Sequence, residues 1–188
     1  MEYYKQTFAQ LEQLPDQWTN QEFEHCTFKK LDLSRAEFTN SNFINCRFED
    51  CNLTRVGLGN VKLYDVSFFT CKLTYVDFGQ CNAFGFHVNF QECQLDNAAF
   101  LNRKLKKARF VDCSIIEAHF IKCDLIGSVF KNCNLEFAKF EGNELTQVDF
   151  SSSYNIELNP DENKVKKAKF SLQNLPGLLT KYDLIISG

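Results

Sequence analysis

The sequence predicts an all-β fold, a parallel β-helix whose coils have four sides. Three observations predict it: a large apolar residue at every fifth position, a small residue two positions earlier, and mostly polar residues elsewhere. A period that is fixed over most of a chain indicates a repeat architecture. In extended chain, residues i and i+2 share a face, so each five-residue unit points two side chains inward and three outward. Each unit is therefore a short extended piece followed by a corner.

Four units per coil place like side chains in columns, because residues twenty positions apart then stack. The columns stay homogeneous along the chain only if two extra residues are looped out between Ala83 and Val88. Column 1 contains Phe28, Phe48, Phe68, Phe90, Phe110, Phe130 and Phe150. Column 2 contains Leu33, Leu53, Leu73, Leu95, Ile115 and Leu135. Column 3 contains Phe38, Leu58, Phe78, Phe100, Phe120 and Phe140. Column 4 contains Phe23, Phe43, Leu63, Ala83, Leu105, Leu125 and Leu145. The sequence thus predicts a square coil with a bulge near residues 84–87, which includes Phe84, Phe86 and His87.

All nine cysteines occupy the small inward position, where they alternate with Ala, Val and Ser. Cysteine behaves there as a small hydrophobic residue. Stacked neighbours point the same way, which suits a disulfide badly. The pattern predicts free, buried thiols and therefore a cytoplasmic protein.

The 188 residues indicate one domain with three segments. Residues 1–20 are interpreted as a degenerate first coil or an N-terminal cap, residues 21–152 as the β-helix, and residues 153–188 as a C-terminal capping and dimerisation segment. The start of the chain does not resemble a signal peptide, and we expect no membrane-spanning segment. The net charge of −3 weighs against direct binding of nucleic acid.

The C-terminal segment differs in kind from the repeats. Ser171 or Asn174 is a candidate cap for a short helix over residues 176–181, and residues 183–187 read as a terminal strand. Its apolar residues have two interpretations: they plug the end of the coil, or they also pair with a second copy, which we favour. The predicted dimer interface consists of Leu175, Leu178, Leu179, Leu184, Ile185 and Ile186.

Catalytic and metal-binding patterns are not found in the sequence. The three histidines have no ligand at metal-binding spacing, and no Cys-x-x-Cys, phosphate loop or nucleophile elbow occurs. A convex rod filled with side chains also has no concave pocket. We therefore expect a protein that is not an enzyme and has no catalytic residues, metal or cofactor.

Individual units follow a known consensus. Residues 51–55 (CNLTR), 123–127 (CDLIG) and 133–137 (CNLEF) resemble the A(D/N)LXX repeat of the pentapeptide repeat family, which implies a right-handed quadrilateral β-helix. Residues 163–188 resemble the tail of Qnr-type quinolone-resistance proteins and of the microcin B17 immunity protein. Residues 156–163 are similar to the immunity protein in particular, and residues 82–86 are similar to an interruption in Qnr proteins.

That resemblance implies a rod that dimerises through its C-terminus and whose acidic surface mimics B-form DNA. Such a dimer binds DNA gyrase or topoisomerase IV and protects the enzyme from a drug or peptide toxin, a role in antibiotic resistance or self-immunity. The predicted acidic surface consists of Asp96, Glu117, Asp124, Glu136, Glu144 and Asp149.

Two alternatives stay open. The charged residues fit an ordinary solvated surface of mixed sign, since the run from Arg103 to Arg109 is basic and a poor fit to a DNA mimic. The chain also fits an interaction scaffold for another partner, which would use the bulge residues with outward Phe69, Tyr75 and Phe137. Arg103 occupies an inward position, so its guanidinium is expected to reach solvent or to pair with a carboxylate.

Overall fold

The computed structural model describes residues 1–9 and 18–185. It confirms the predicted fold class, because every strand pair among the described residues is parallel and links neighbouring coils. Before the bulge the register advances by one coil of twenty residues, so that Phe28 pairs with Phe48 and Phe48 pairs with Phe68.

The described strands are short. They are Glu2–Tyr4 (β1), Thr7–Phe8 (β2), Glu22–Glu24 (β3), Thr27–Lys29 (β4), Asn42–Ile44 (β5), Arg47–Glu49 (β6), Lys62–Tyr64 (β7), Val66–Phe69 (β8), Val88–Gln91 (β9), Ala99–Leu101 (β10), Arg109–Val111 (β11), His119–Ile121 (β12), Val129–Lys131 (β13) and Lys139–Glu141 (β14). They form three sheets, with the orders β13-β11-β9-β8-β6-β4-β2, β1-β3-β5-β7 and β10-β12-β14. We number each wall of the coil after its column, so the seven-stranded sheet is face 1, and single bridges such as Asn52 with Lys72 join the coils on face 2.

The predicted columns exist as stacks of rings in the core. Phe110 and Phe130 of column 1 lie 4.5 Å apart, centroid to centroid, with their planes 2° from parallel. Rings of adjacent columns meet edge to face, as Phe110 and Phe120 do at 84°. Such offset and edge-to-face pairs add about 0.5–1.5 kcal/mol each beyond the burial of their area.

The structure confirms the two-residue bulge but corrects which side chain of this segment faces the core. Phe68 pairs with Phe90, a step of one coil plus two residues. Column 4 was predicted to contain Ala83, yet Ala83 is exposed and Phe86, only 5 % exposed, fills the core beside Phe78. Burying a phenylalanine instead of an alanine gains far more apolar area, which explains the exchange.

Each corner requires a left-handed backbone. The residue two positions after a large core residue has a positive φ, for example 60° at Asn40, 53° at Asp50 and 66° at Gly127. Asn, Asp and Gly adopt this conformation at low cost, which explains their frequency at the corners. Thr70, with φ 52°, is a β-branched residue in the same conformation.

Arg103 is buried, contrary to the expectation that it reaches solvent or pairs with a carboxylate. It is 8 % exposed, and it donates from Nε to the Leu101 carbonyl (2.9 Å) and from a terminal nitrogen to the Cys81 carbonyl (2.7 Å). In another coil the equivalent carbonyl, that of Ser41, accepts from the backbone N–H of Lys62. The guanidinium therefore satisfies a carbonyl beside the bulge.

The C-terminal segment contains 3₁₀-helices at Leu172–Leu178 and Thr180–Tyr182. Ser171, one of the two candidate caps, accepts from the Asn174 N–H at the start of the first helix, which begins four residues before the predicted helix over residues 176–181. The alternative cap, Asn174, is instead buried and donates to the Phe150 and Ser153 carbonyls. The predicted terminal strand is wrong for residues 183–185, which are not extended in a sheet, and its remaining residues lie outside the described residues.

Candidate functional site

Face 2 carries a strip of three carboxylates after the bulge, formed by Asp96, Glu117 and Glu136, which we call the acidic strip. Bridges from Gln94 to Ser114 and from Ser114 to Asn134 place these carboxylates on three successive coils. Coils joined by strand pairing are about 4.8 Å apart, so the strip is about 10 Å long. Among the described residues, the strip carboxylates take part in no ion pair within 4.0 Å.

The carboxylate of Asp96 is held in a fixed position. It accepts a hydrogen bond from Ser114 Oγ (2.6 Å) and another from the Ile116 N–H (3.0 Å) of the next coil. Because both donors are neutral, its charge remains at the surface of the rod.

The other predicted acidic residues lie elsewhere and are neutralised. Ion pairs join Asp124 to Lys106 (3.1 Å), Glu144 to Lys164 (3.3 Å) and Asp149 to Lys169 (3.3 Å). The first two carboxylates lie on face 4 and the third on face 1. The six predicted residues are therefore divided among three faces, and only the strip keeps uncompensated charge.

Local hydrogen bonds also affect two of these paired carboxylates. The pKa of Glu144 is lowered, first by a hydrogen bond from the Thr146 hydroxyl and then by Lys164. Ser151 and then Lys169 lower the pKa of Asp149 in the same way. Both carboxylates therefore stay ionised within their ion pairs.

The half of face 2 before the bulge is basic. Arg35, Arg55 and Lys72 lie there with Asp32, and the Arg55 guanidinium lies 4.8 Å from the centroid of the Tyr75 ring. The sign of the charge on face 2 therefore reverses near the bulge.

The bulge exposes one phenylalanine and buries the other. Phe84 is 78 % exposed, whereas Phe86 lies in the core, so Phe86 cannot belong to the exposed aromatic surface that the sequence suggested. His87 Nδ1 lies 2.6 Å from Asp65 Oδ1. The exposed part of the bulge is consequently Phe84 and its neighbours on face 4.

The C-terminal segment divides the predicted interface residues into two groups. Leu178 and Leu179 are half-buried, and Leu178 packs against the core, as a plug would. Leu175, Leu184 and Ile185 are exposed, Ile185 at 99 %. Ile186 lies outside the described residues.

Sequence reasoning missed two exposed residues of this segment. Leu172 is 85 % exposed, and more than half of Tyr182 is also exposed. Leu172 follows Phe170 by two positions, where the repeat places polar residues, so an apolar residue there was a usable signal.

The nine cysteines are free and buried. Burial raises the pKa of the Cys46 thiol to about 12, and it raises the pKa of Cys123 to about 11. Such thiols stay protonated and unreactive near neutral pH. Within residues 1–9 and 18–185, no group of three or more His, Cys, Asp or Glu side chains is placed to hold a metal ion. No helix in that part of the chain is long and apolar enough to cross a membrane.

Two family models match the chain. Residues 21–100 match the model described as pentapeptide repeat region, and residues 113–151 match the one described as pentapeptide repeats (8 copies). No curated protein matches the chain.

Solved structures of repeat proteins also resemble it. A structure of QnrB1, a plasmid-mediated fluoroquinolone resistance protein, is 16 % identical with a TM-score of 0.45, over 100 % of this chain and 98 % of that chain. HetL, a pentapeptide repeat protein involved in heterocyst differentiation regulation from the cyanobacterium Nostoc sp. strain PCC 7120, is 13 % identical with a TM-score of 0.31. That match covers 91 % of this chain and 83 % of HetL.

Proposed function

We propose, because this chain belongs to the pentapeptide repeat family, that it is a DNA-mimicking rod that binds a bacterial type II topoisomerase. The enzyme is DNA gyrase or topoisomerase IV, and binding modulates it or protects it from a drug or peptide toxin. The protein acts as a homodimer and performs no catalysis. The observation that carries the proposal is the acidic strip, which lies in the same half of the rod as the exposed apolar tail.

Dimerisation through the tail brings two acidic strips toward the centre of the assembly. The basic residues Arg35, Arg55 and Lys72 then lie at the outer ends. A DNA-binding enzyme presents a basic saddle, which attracts the central strips and not the ends. Three charges over about 10 Å are fewer than duplex DNA carries, at one per about 1.7 Å, so we expect DNA to compete with the dimer.

The tail supports the dimer because its apolar residues face outward as well as inward. Leu178 covers the end of the core, while Leu172, Leu175 and Ile185 remain in solvent. Exposed apolar groups concentrated on one short segment are typical of an interface between protein copies.

Replacing Ile185 with Asp tests the dimer by light scattering after gel filtration. We expect Ile185→Asp to be monomeric, since a carboxylate would be buried without a partner. The matched control is Tyr4→Asp, which changes an exposed aromatic residue at the opposite end of the rod and should remain dimeric. A dimer that survives Ile185→Asp would remove this part of the tail from the interface.

A gyrase supercoiling and quinolone-cleavage assay tests the function itself. The wild-type dimer at micromolar concentration should reduce supercoiling or reduce drug-stabilised cleavage. The double variant Glu117→Lys/Glu136→Lys should need at least about tenfold more protein, because it reverses two charges of the strip. Glu141→Lys reverses one charge on face 3 and should retain most of the effect. If the wild-type protein leaves both reactions untouched, the proposal is wrong.

A second candidate is an interaction scaffold with another partner. It is favoured by exposed aromatic side chains outside the acidic strip. They include Tyr64 and Phe84 on face 4, and Phe137 at a corner. A pull-down that recovers one stoichiometric partner other than a topoisomerase, and loses it with Phe84→Ala, would favour this function.

A further inference from the structure

We propose that face 4 around the bulge binds a short single-stranded nucleic acid. The rings of Phe84 and Tyr64 stack on bases, and the ammonium groups of Lys62, Lys104 and Lys107 contact phosphates. This inference does not depend on topoisomerase binding, because it concerns a different face and is measured without that enzyme.

The two rings are exposed on the same face of the rod, and hydrogen bonds hold the backbone that carries Phe84. The Phe84 N–H donates to Asn82 Oδ1 (2.9 Å), and the Asn82 amide donates to Asn60 Oδ1 of the preceding coil (3.0 Å). Gly85 lies against Tyr64, since a Cβ added to it would be 2.9 Å from the tyrosine ring. The bulge therefore presents Phe84 largely in solvent, on the same face as Tyr64, which is about half exposed.

Positive charge lies on the same face as these rings. Lys62 Nζ lies 5.9 Å from the centroid of the Phe84 ring. Lys104, Lys106 and Lys107 flank Leu105 of column 4 on the coil that follows the bulge, and all three are exposed.

Most of this charge is uncompensated. Lys106 pairs with Asp124 (3.1 Å), and the Asp65 carboxylate lies 2.6 Å from His87 Nδ1. In the part of the chain that the structure describes, the other three lysines form no ion pair within 4.0 Å. The local surface is therefore basic although the whole chain carries a net charge of −3. Charges farther away than about 10 Å are screened at ordinary salt concentration, so the acidic strip on face 2 does not cancel it.

Exposed ring faces distinguish this surface from a site for an acidic peptide. The carboxylates of an acidic peptide would contact only the lysines. Unpaired bases also stack on aromatic side chains, and proteins that bind single strands combine this stacking with contacts to phosphates. Lys62 and Lys104 lie two coils apart, about 10 Å, which is the length of about three stacked nucleotides. A duplex buries its base faces and cannot use the rings.

Fluorescence anisotropy with a labelled oligothymidylate of about eight nucleotides, at about 50 mM salt, tests the proposal on the full chain. We expect binding that weakens with salt, with a slope near −2 in a plot of log K against log [salt] for about three phosphate contacts. An abasic oligomer with the same phosphates should bind about fivefold or more weakly, since it cannot stack. Duplex DNA of equal length and an oligoglutamate peptide of equal charge should also bind more weakly than the oligothymidylate.

Variants assign the two contacts. Phe84→Ala should weaken oligothymidylate binding about fivefold or more and leave the salt slope unchanged, whereas Lys104→Ala/Lys107→Ala should reduce the slope by about 1.4. Phe137→Ala, which removes an exposed phenylalanine on face 2, should change neither. Circular dichroism checks that each variant is folded.

The proposal is overturned if the oligothymidylate does not bind at about 100 µM protein, within the range of weak non-specific binding. It is also overturned if the abasic oligomer, the duplex or the peptide binds equally well, or if Phe84→Ala binds like the wild type. Because no topoisomerase is present, these outcomes leave the function proposed above unaffected.

Discussion

The rod before the bulge and the rod after it use the same five-residue unit and share the phenylalanines of column 1, but they differ in columns 3 and 4. Before the bulge, column 4 is aromatic at Phe23 and Phe43, and Tyr3 extends the stack. Column 3 also contains Phe38 and Phe78 there. After the bulge, column 4 is aliphatic, and column 3 stacks from Phe100 through Phe120 to Phe140. The strands change walls at the bulge, because β1, β3, β5 and β7 lie on face 4 whereas β10, β12 and β14 lie on face 3. After the bulge the three-residue strands therefore lie on the aromatic wall and not on the aliphatic one. Before it, both of these walls carry rings, and of the two only face 4 forms three-residue strands.

The two halves also differ in how regularly the core is packed. After the bulge, edge-to-face contacts such as that of Phe120 with Phe130 repeat at every coil, at 84° in this pair. Before it, Leu58 and Leu63 interrupt two aromatic columns on one coil, and a void of about 10 Å³ lies between them and neighbouring rings. The void is lined only by apolar side chains, which offer a water molecule no hydrogen bond.

The largest expected effect is a loss of stability in alkali, which tests whether both halves of the rod bury their cysteine thiols equally well. The raised pKa values of Cys46, Cys81 and Cys123 mean that the unfolded chain releases thiol protons above about pH 8.5 while the folded chain keeps them. Stability is therefore complete below that pH and falls as the pH rises, by about 4 kcal/mol per pH unit for these three groups.

Urea unfolding at about pH 8, 9 and 10, a range that spans the ordinary thiol pKa, measures that loss. Replacing Cys46 with Ala before the bulge and Cys123 with Ala after it should reduce the slope by equal amounts, about 1.4 kcal/mol per pH unit each. A slope that depends on only one half would contradict a uniformly dry core.

Cavity-forming variants test whether the two halves differ in the stability that their core packing provides. Phe120→Ala removes a ring that stacks on Phe100 at 4.8 Å and on Phe140 at 4.9 Å, so we expect a loss of about 3–5 kcal/mol. Leu58→Ala, beside the existing void, should cost about 2 kcal/mol, near the low end for such changes. The free energy of unfolding in urea measures both, and an equal or larger loss at Leu58 would mean that ring packing does not distinguish the halves.

A corner substitution has the smallest expected effect. Thr70→Asn places a residue that tolerates the left-handed conformation where φ is 52°, and should stabilise the fold by about 0.5 kcal/mol. Thr39→Asn is the matched control, because Thr39 is not among the residues with positive φ. A melting temperature that rises equally for both variants would show that backbone strain at the corner is not the cause.

Most of the fold was predictable because the repeat leaves few choices. Register, column membership outside the bulge and the position of the bulge follow from the five-residue period. The exchange of Ala83 for Phe86 was not predicted, since the grid counts looped-out residues but does not say which of them turns inward. The contact of Arg103 with the Cys81 carbonyl depends on a coil that the bulge distorts, and sequence spacing does not describe that distortion.

The candidate site was less predictable than the fold. Lysines twenty positions after Glu144 and Asp149 stack on them, and the grid could have shown that these carboxylates are paired. The tail was assigned a strand because its short apolar run has no helical period, and such a run is ambiguous between helix and strand.

The most direct test of the proposed function measures binding of the protein to purified DNA gyrase while duplex DNA competes. We predict that the wild-type protein binds at micromolar concentration or better, that DNA displaces it, and that Glu117→Lys/Glu136→Lys binds at least about tenfold more weakly than Glu141→Lys. Binding that DNA does not displace and that the charge reversals leave unchanged would contradict the account, as would the absence of binding.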